Sequence, residues 1–200
     1  MADFEILHYS EKSTQSILKN LCASGSLIPI IGSGFSKGSS TKAGKKVPDG
    51  KNLKKLMKDA LTKISPEKSK LINENTEFSK VAEKYLKLVP REEQLEMFNN
   101  YFVGVELPEN RKKFLNNNWP YIYTLNIDDG IENSLKNYEK IMPYKNLNID
   151  YVKTNKCIFK LHGDAKHEIF YKNDENFVLS RKQYLISIRD NYDLLQFIQS

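Results

Sequence analysis

The sequence predicts an α/β fold: a Rossmann-like parallel sheet flanked by helices, with a helical insertion over about residues 50–118. Three observations predict it. Short apolar runs at residues 27–31, 121–125 and 157–161 alternate with segments of helical period, the pattern of layered α/β domains. The first run, Leu27-Ile28-Pro29-Ile30-Ile31, is continuously apolar, which suits a central parallel strand covered on both faces. Each run empties directly into glycine, asparagine or histidine, and in open parallel sheets ligands bind at the carboxyl ends of the strands.

Taken in order, Ile17, Leu18, Leu21 and Cys22 share one helical face, so residues 11–23 are expected to form a helix that stops at Gly25. The strand at 27–31 follows, then a glycine-serine loop and a lysine-rich stretch at 37–46. Leu53, Leu56, Met57, Ala60, Leu61 and Ile64 recur at helical spacing, as do Phe78, Val81, Ala82, Tyr85, Leu86 and Val89. Leu95, Phe98, Tyr101 and Phe102 predict a further helix after Pro90, and residues 111–117 a short one. These apolar stripes are core positions. Strands are then expected at 121–125, 157–161 and 177–179, with a helix at 129–138. Ser180 is placed to cap a last helix carrying Tyr184, Leu185, Ile188, Leu194, Leu195 and Ile198.

Two hundred residues set the expectation of one domain, and 40% apolar residues suffice for a packed core. No apolar run approaches the ~20 residues that span a bilayer. Residues 1–10 carry Asp3 and Glu5 and no basic segment, unlike a secretory signal. Cys22 and Cys157 are too few for a thiolate zinc site or a disulfide framework. A reducing, cytoplasmic location without membrane contact is the resulting expectation. The formal charge is +6, and residues 37–63 concentrate it, with nine lysines against Asp49 and Asp59. Such a patch attracts phosphates, of a nucleotide or of nucleic acid, although a solvated loop and helix face has the same composition. Within it, no arginine cluster or aromatic interleaving favours nucleic acid.

Three motifs carry candidate chemistry. Gly32-Ser33-Gly34-Phe35-Ser36 follows a buried strand, where glycines let the backbone approach a diphosphate and a following helix offers N–H groups. The third glycine of a dinucleotide fingerprint is missing, since position 37 is Lys, and no Walker loop aligns. Thr124-Leu125-Asn126-Ile127-Asp128 sets polar groups at a strand end, either for a ligand or to turn the chain and cap the next helix. Leu161-His162-Gly163 ends another strand on a histidine, the side chain that titrates nearest neutrality. His162 is either a structural hydrogen-bonder or a general base; of the other histidines, His8 is near the terminus and His167 in a polar segment.

In this order the three motifs resemble those of sirtuins and the wider sirtuin-like NAD-consuming domains. Gly32-Ser33-Gly34-Phe35-Ser36 is similar to the family's Gly-Ala-Gly-x-Ser loop, and Pro48-Asp49 to its Pro-Asp segment. Thr124-Leu125-Asn126-Ile127-Asp128 resembles Thr-x-Asn-x-Asp, and Leu161-His162-Gly163 resembles Leu-His-Gly, so the likeness spans about residues 30–164. Deacylating sirtuins carry two Cys-x-x-Cys pairs after Leu-His-Gly, and no cysteine follows Cys157 here. The Pro-Asp segment also lacks the usual arginine. The pattern therefore resembles the prokaryotic, defence-associated branch whose members hydrolyse NAD+.

The resemblance implies NAD+ as substrate and no metal. It implies a loop at Gly32, Ser33, Gly34, Phe35 and Ser36 that binds the diphosphate, with Thr124 in the neighbouring motif. Asn126 would orient the ribose hydroxyls or the attacking water, Asp128 would bond the nicotinamide carboxamide, and His162 would be the general base. Asp49 would position the loop or the ligand, and Lys37 would add positive potential. The expected reaction is cleavage of the nicotinamide glycosidic bond in anti-phage defence, by a homo-oligomer with a fused or associated sensor. The family's later Gly-x-Ser loop, which contacts the adenosine half, is missing before Ser200. Either the chain is the N-terminal part of a longer protein or the site is completed differently. Other readings are a nucleotide-sensing module that binds NAD+ without cleaving it, a protein deacylase, and a nucleic-acid binder acting through Lys37 to Lys63.

Overall fold

The computed structural model describes residues 8–143, 147–171 and 177–199. Its first helix, α1 (Lys12–Ala23), ends where Gly25 takes φ 71°, a left-handed conformation that glycine adopts without a Cβ penalty. Strand β1 (Ile30–Ile31) is shorter than the apolar run that contains it. Five helices then intervene before the next strand: α2 (Gly50–Ile64), α3 (Pro66–Lys70), α4 (Phe78–Leu88), α5 (Arg91–Phe102) and α6 (Glu109–Leu115). The helical periods at 53–64 and 78–89 are those of α2 and α4, which pack on each other through Leu53, Met57, Leu61, Val81, Ala82 and Tyr85. Pro66 supplies the first turn of α3, a helix the periodicity did not predict, since proline fixes φ and lacks only an N–H that would be unpaired there.

The α/β alternation resumes with β2 (Tyr121–Thr124), α7 (Gly130–Ser134), β3 (Glu139–Ile141), α8 (Ile149–Thr154), β4 (Cys157–Lys160) and α9 (Ala165–Phe170). Helices α10 (Arg181–Asp190) and α11 (Tyr192–Gln199) close the described chain. The four strands form one parallel sheet in the order β1-β2-β4-β3. Side chains alternate across it. Ile122 and Ile158 face the large core built with α2 and α4–α7, and Tyr123, Cys157 and Phe159 face a second core with Val152 and Leu194.

Four expectations need correction. β1 is an edge strand among the described residues, with Ile30 72% exposed, because only β2 pairs with it. The helix expected at 129–138 ends at Ser134, and Glu139–Ile141 pairs instead as β3 against β4. Residues 177–179 are buried but form no strand; among the described residues their one backbone–backbone bond runs from Val178 N–H to His162 O at 3.1 Å, and Leu179 N–H donates to the Gln183 side chain. The last helix is two. Ser180 caps α10 through a full capping box with Gln183, yet Tyr184, Leu185 and Ile188 are exposed rather than core.

Among the described residues, no helix is long and apolar enough to cross a membrane.

Candidate active site

The register of the sheet sets the site. Ile31, Thr124 and Lys160 are Cα partners in one row across β1, β2 and β4. The ladder continues one residue further, with Leu125 N–H donating to Ile31 O and Leu161 N–H to Thr124 O, both at 2.9 Å. Gly32 is one residue beyond this row, and Asn126 and His162 are each two residues beyond it. The three motifs, up to 130 positions apart along the chain, therefore emerge side by side at the carboxyl edge of the sheet.

They line one cleft of about 320 Å³. Gly32, Ser33, Asp49, Asn126, Asp128 and His162 border it, with apolar walls from Leu53, Phe78 and Phe102. Gly34 and Phe35 face the other way, into a wider groove of about 850 Å³ shared with Ile30, Gly32, Arg111 and Phe114. Ser36 and Thr124 lie beneath the cleft surface, fully buried, and act on it through other groups.

Thr124 Oγ1 donates to Ile31 O at 3.2 Å and accepts the N–H of Asn126 at 3.0 Å, so it joins β1 to the turn that follows β2. Ser36 accepts from Asn126 Nδ2 at 2.9 Å and hydrogen-bonds the Asp128 carboxylate. One hydroxyl thus connects the glycine turn to both polar residues of the second motif. Asn126 Oδ1, though buried, has no hydrogen-bond partner among the described residues. Such an orphaned acceptor costs stability unless a donor arrives, and the ribose hydroxyls of a nucleotide are donors.

The glycines of the turn are informative for what does not require them. Neither Gly32 nor Gly34 has positive φ, and a Cβ at either would meet nothing within 4 Å. Neither backbone strain nor packing within the protein calls for glycine there; close approach of a ligand would. The N–H groups of Ser33 and Gly34 also donate to no described residue. A helix start behind this turn was expected and is not found: residues 33–38 form turns, and the next helix is α2, capped by Asp49. Asp49 accepts the N–H of Asn52 at 2.8 Å and pairs with Lys37 at 2.6 Å, and the Lys37 bond is the first cause holding its carboxyl below the usual range. Lys37 is therefore committed to Asp49.

His162 is half-buried, and its imidazole makes no hydrogen bond to another described residue. Burial holds its pKa below the ordinary 6.5, so the ring is neutral at neutral pH, the state a base requires. Gly163 behind it takes φ 87°, a turn conformation that side chains rarely adopt. Burial is the largest influence on Asp128 and raises its pKa, against the opposing pull of Lys160, the Gly130 N–H and the Ser36 hydroxyl.

Sequence reasoning missed two residues. Asp129 accepts the N–H groups of Gly104 and Val105, both at 2.9 Å, and so ties the turn to the end of the helical insertion. Lys160 is fully buried at the end of β4, with Nζ 2.5 Å from Asp128 O and 2.8 Å from Glu132 Oε1. The available signal was a lysine inside an otherwise apolar strand, a residue almost never fully buried unless paired.

Residues 120–200 match the family model described as SIR2-like domain. No curated protein matches the chain. The matched stretch contains β2, β4, Asn126, Asp128 and His162 and leaves out the glycine turn, which the sheet register adds. SIR2-like domains use NAD+, and the donors, acceptors and open glycine turn of the cleft fit such a ligand. Over residues 120–200, and in its parallel α/β sheet, this chain is similar to SIR2-like domains.

Proposed function

We propose that this domain hydrolyses NAD+ at the nicotinamide glycosidic bond. One observation carries the reading: Asn126 Oδ1 and the His162 imidazole, neither with a hydrogen-bond partner among the described residues, border the same cleft beside the glycine turn. Its volume of about 320 Å³ is at the small end of ligand pockets and suits the nicotinamide riboside end of the molecule. The diphosphate would cross Gly32 and Gly34, and the adenosine half would lie in the groove beyond, against Phe35, Phe114 and Arg111.

The leaving ring is already cationic, so it needs no acid. The C1′–N bond breaks, and its electron pair passes to the ring nitrogen and neutralises it. Water oxygen bonds to C1′, and the proton it releases goes to His162. Asn126 positions the ribose hydroxyls or that water, and the Asp128 carboxylate accepts from the carboxamide. Holding reactants in such geometry is the main source of rate acceleration in a site of this kind. The defence role by NAD+ depletion, in a homo-oligomer with a fused or associated sensor, is part of the proposal through the family resemblance.

The test is nicotinamide release from NAD+ by the protein, with and without an acetylated peptide, and by His162→Ala. Release that is independent of peptide and falls ~10²-fold or more in the variant is expected from loss of a placed base. Peptide-stimulated turnover would replace hydrolysis by deacylation. Tight binding without product would make the domain a sensor.

A further inference from the structure

Beneath the cleft lies a buried ionic cluster that the reaction as described does not use. Lys160 has no exposed surface; its ammonium group donates to Asp128 O at 2.5 Å and forms ion pairs with Glu132 Oε1 of α7 at 2.8 Å and Asp164 Oδ2 at 3.5 Å. Asp164 in turn takes Lys140 Nζ of β3 at 3.0 Å and the His167 N–H at 2.7 Å. Burying this much charge is unfavourable unless the geometry is close, and apolar side chains of similar volume often serve stability as well or better. Fold stability alone therefore does not account for the cluster.

Its geometry couples two motifs. Lys160 ends β4 two residues before His162, and the carbonyl it holds belongs to Asp128. The neighbouring carbonyl, Ile127 O, accepts the N–H of Ala165 at 2.8 Å, so the chain around His162 grips two successive peptides of the Asp128 turn. The turn is held on its other sides by Thr124 at Asn126, by the Gly130 N–H on Asp128 Oδ1, and by Asp129 on Gly104 and Val105. Lys160 supplies the one full positive charge among these ties.

We infer that Lys160 is a positioning residue, locking the Asp128 turn onto the His162 strand so that carboxylate and imidazole face one substrate across the cleft. The groups facing Asp128 are Lys160 from β4, the Ser36 hydroxyl from the glycine turn, the Gly130 N–H and Asp129 on its own segment, and Asp49 and His162 across the cleft. Lys160 is the cation that acts on that carboxylate, and its pull opposes the rise that burial imposes. The role of Asp128 toward substrate rests on the hydrolase reading; the locking of the turn does not.

The experiment compares Lys160→Met, Glu132→Gln and the double variant with wild type, reading the Asp128 carboxyl titration by ¹³C NMR and nicotinamide release. Lys160→Met is expected to raise the Asp128 pKa and to lower kcat ~10²-fold, the cost of a misplaced reacting group. Glu132→Gln disturbs the same cluster but leaves the Lys160–Asp128 bond, so the Asp128 pKa should stay or fall. The double variant removes both buried charges of the pair and should behave as Lys160→Met if the single variant does not fold. In wild type, the Lys160 ammonium protons should give NOEs to the Asp128–Asp129 peptide. An Asp128 pKa unmoved by loss of Lys160, or raised equally by Glu132→Gln, would reduce Lys160 to a structural ion pair, and absent NOEs would overturn the inference outright. If wild type neither binds nor cleaves NAD+, the hydrolase reading fails, while the titration and NOEs still judge the lock.

Discussion

Replacing Asn126 by alanine separates function from folding more sharply than any other change in the site. Asn126 is 3% exposed, and truncating a buried polar residue ordinarily destabilises. Here the terms oppose each other. The variant loses the bond from Nδ2 to Ser36 Oγ, worth about 1 kcal/mol net. It also removes Oδ1, an unpaired buried acceptor, whose desolvation costs about 1–3 kcal/mol. The space created opens onto the cleft, so little dry cavity is left. The sum is near zero, within about 2 kcal/mol of wild type, while nicotinamide release should fall ~10²-fold or more through lost positioning. Urea denaturation followed by intrinsic fluorescence measures the first quantity and a nicotinamide assay the second. Destabilisation beyond about 3 kcal/mol with activity per folded molecule retained would refute the reasoning, since Asn126 would then be a structural residue whose acceptor is satisfied within the fold.

Three further outcomes are expected. Because burial depresses the His162 pKa and the base must be neutral, the rate should stay level down to about pH 6.5 and decline only below it; the same depressed pKa makes stability fall on acidification below that value, which a pH series of melting curves reads separately. Gly32→Ala should leave the melting temperature unchanged, as its Cβ meets nothing within 4 Å, yet raise KM for NAD+ severalfold, as titration of initial rates would show. Arg111→Ala should raise KM with kcat nearly unchanged, since Arg111 lies in the groove proposed for the adenosine half, 6.0 Å from the Phe35 ring centroid and away from His162.

The parts of the fold legible in sequence are those whose signal is local. Apolar residues at helical spacing located α2 and α4, and Ser180, a capping residue type, marked the start of α10. Short elements escaped. β3 reads Glu-Lys-Ile and has no apolar run of its own; it is a strand because β4 offers it an edge. Residues 177–179 have the composition of a strand but, among the described residues, their backbone pairs only through Val178 to His162. Ile30 looked like the interior of a sheet, and its exposure follows from which strand lies beside it, a relation no window of sequence contains.

The site divides in the same way. Residue type and position after a strand were enough to single out Gly32, Asn126, Asp128 and His162 as candidates, because each depends on chemistry the side chain or its absence carries wherever it is placed. Only the tertiary structure decided that Ser36 joins Asn126 to Asp128, that Phe35 turns toward a second groove, that Asp49 and Lys37 satisfy each other, and that Lys160 lies under Asp128. Those are facts of register and distance. They arise when Ile31, Thr124 and Lys160 align across three strands, and hydrogen-bond partners chosen across 90 or more residues leave no trace in the order of the chain.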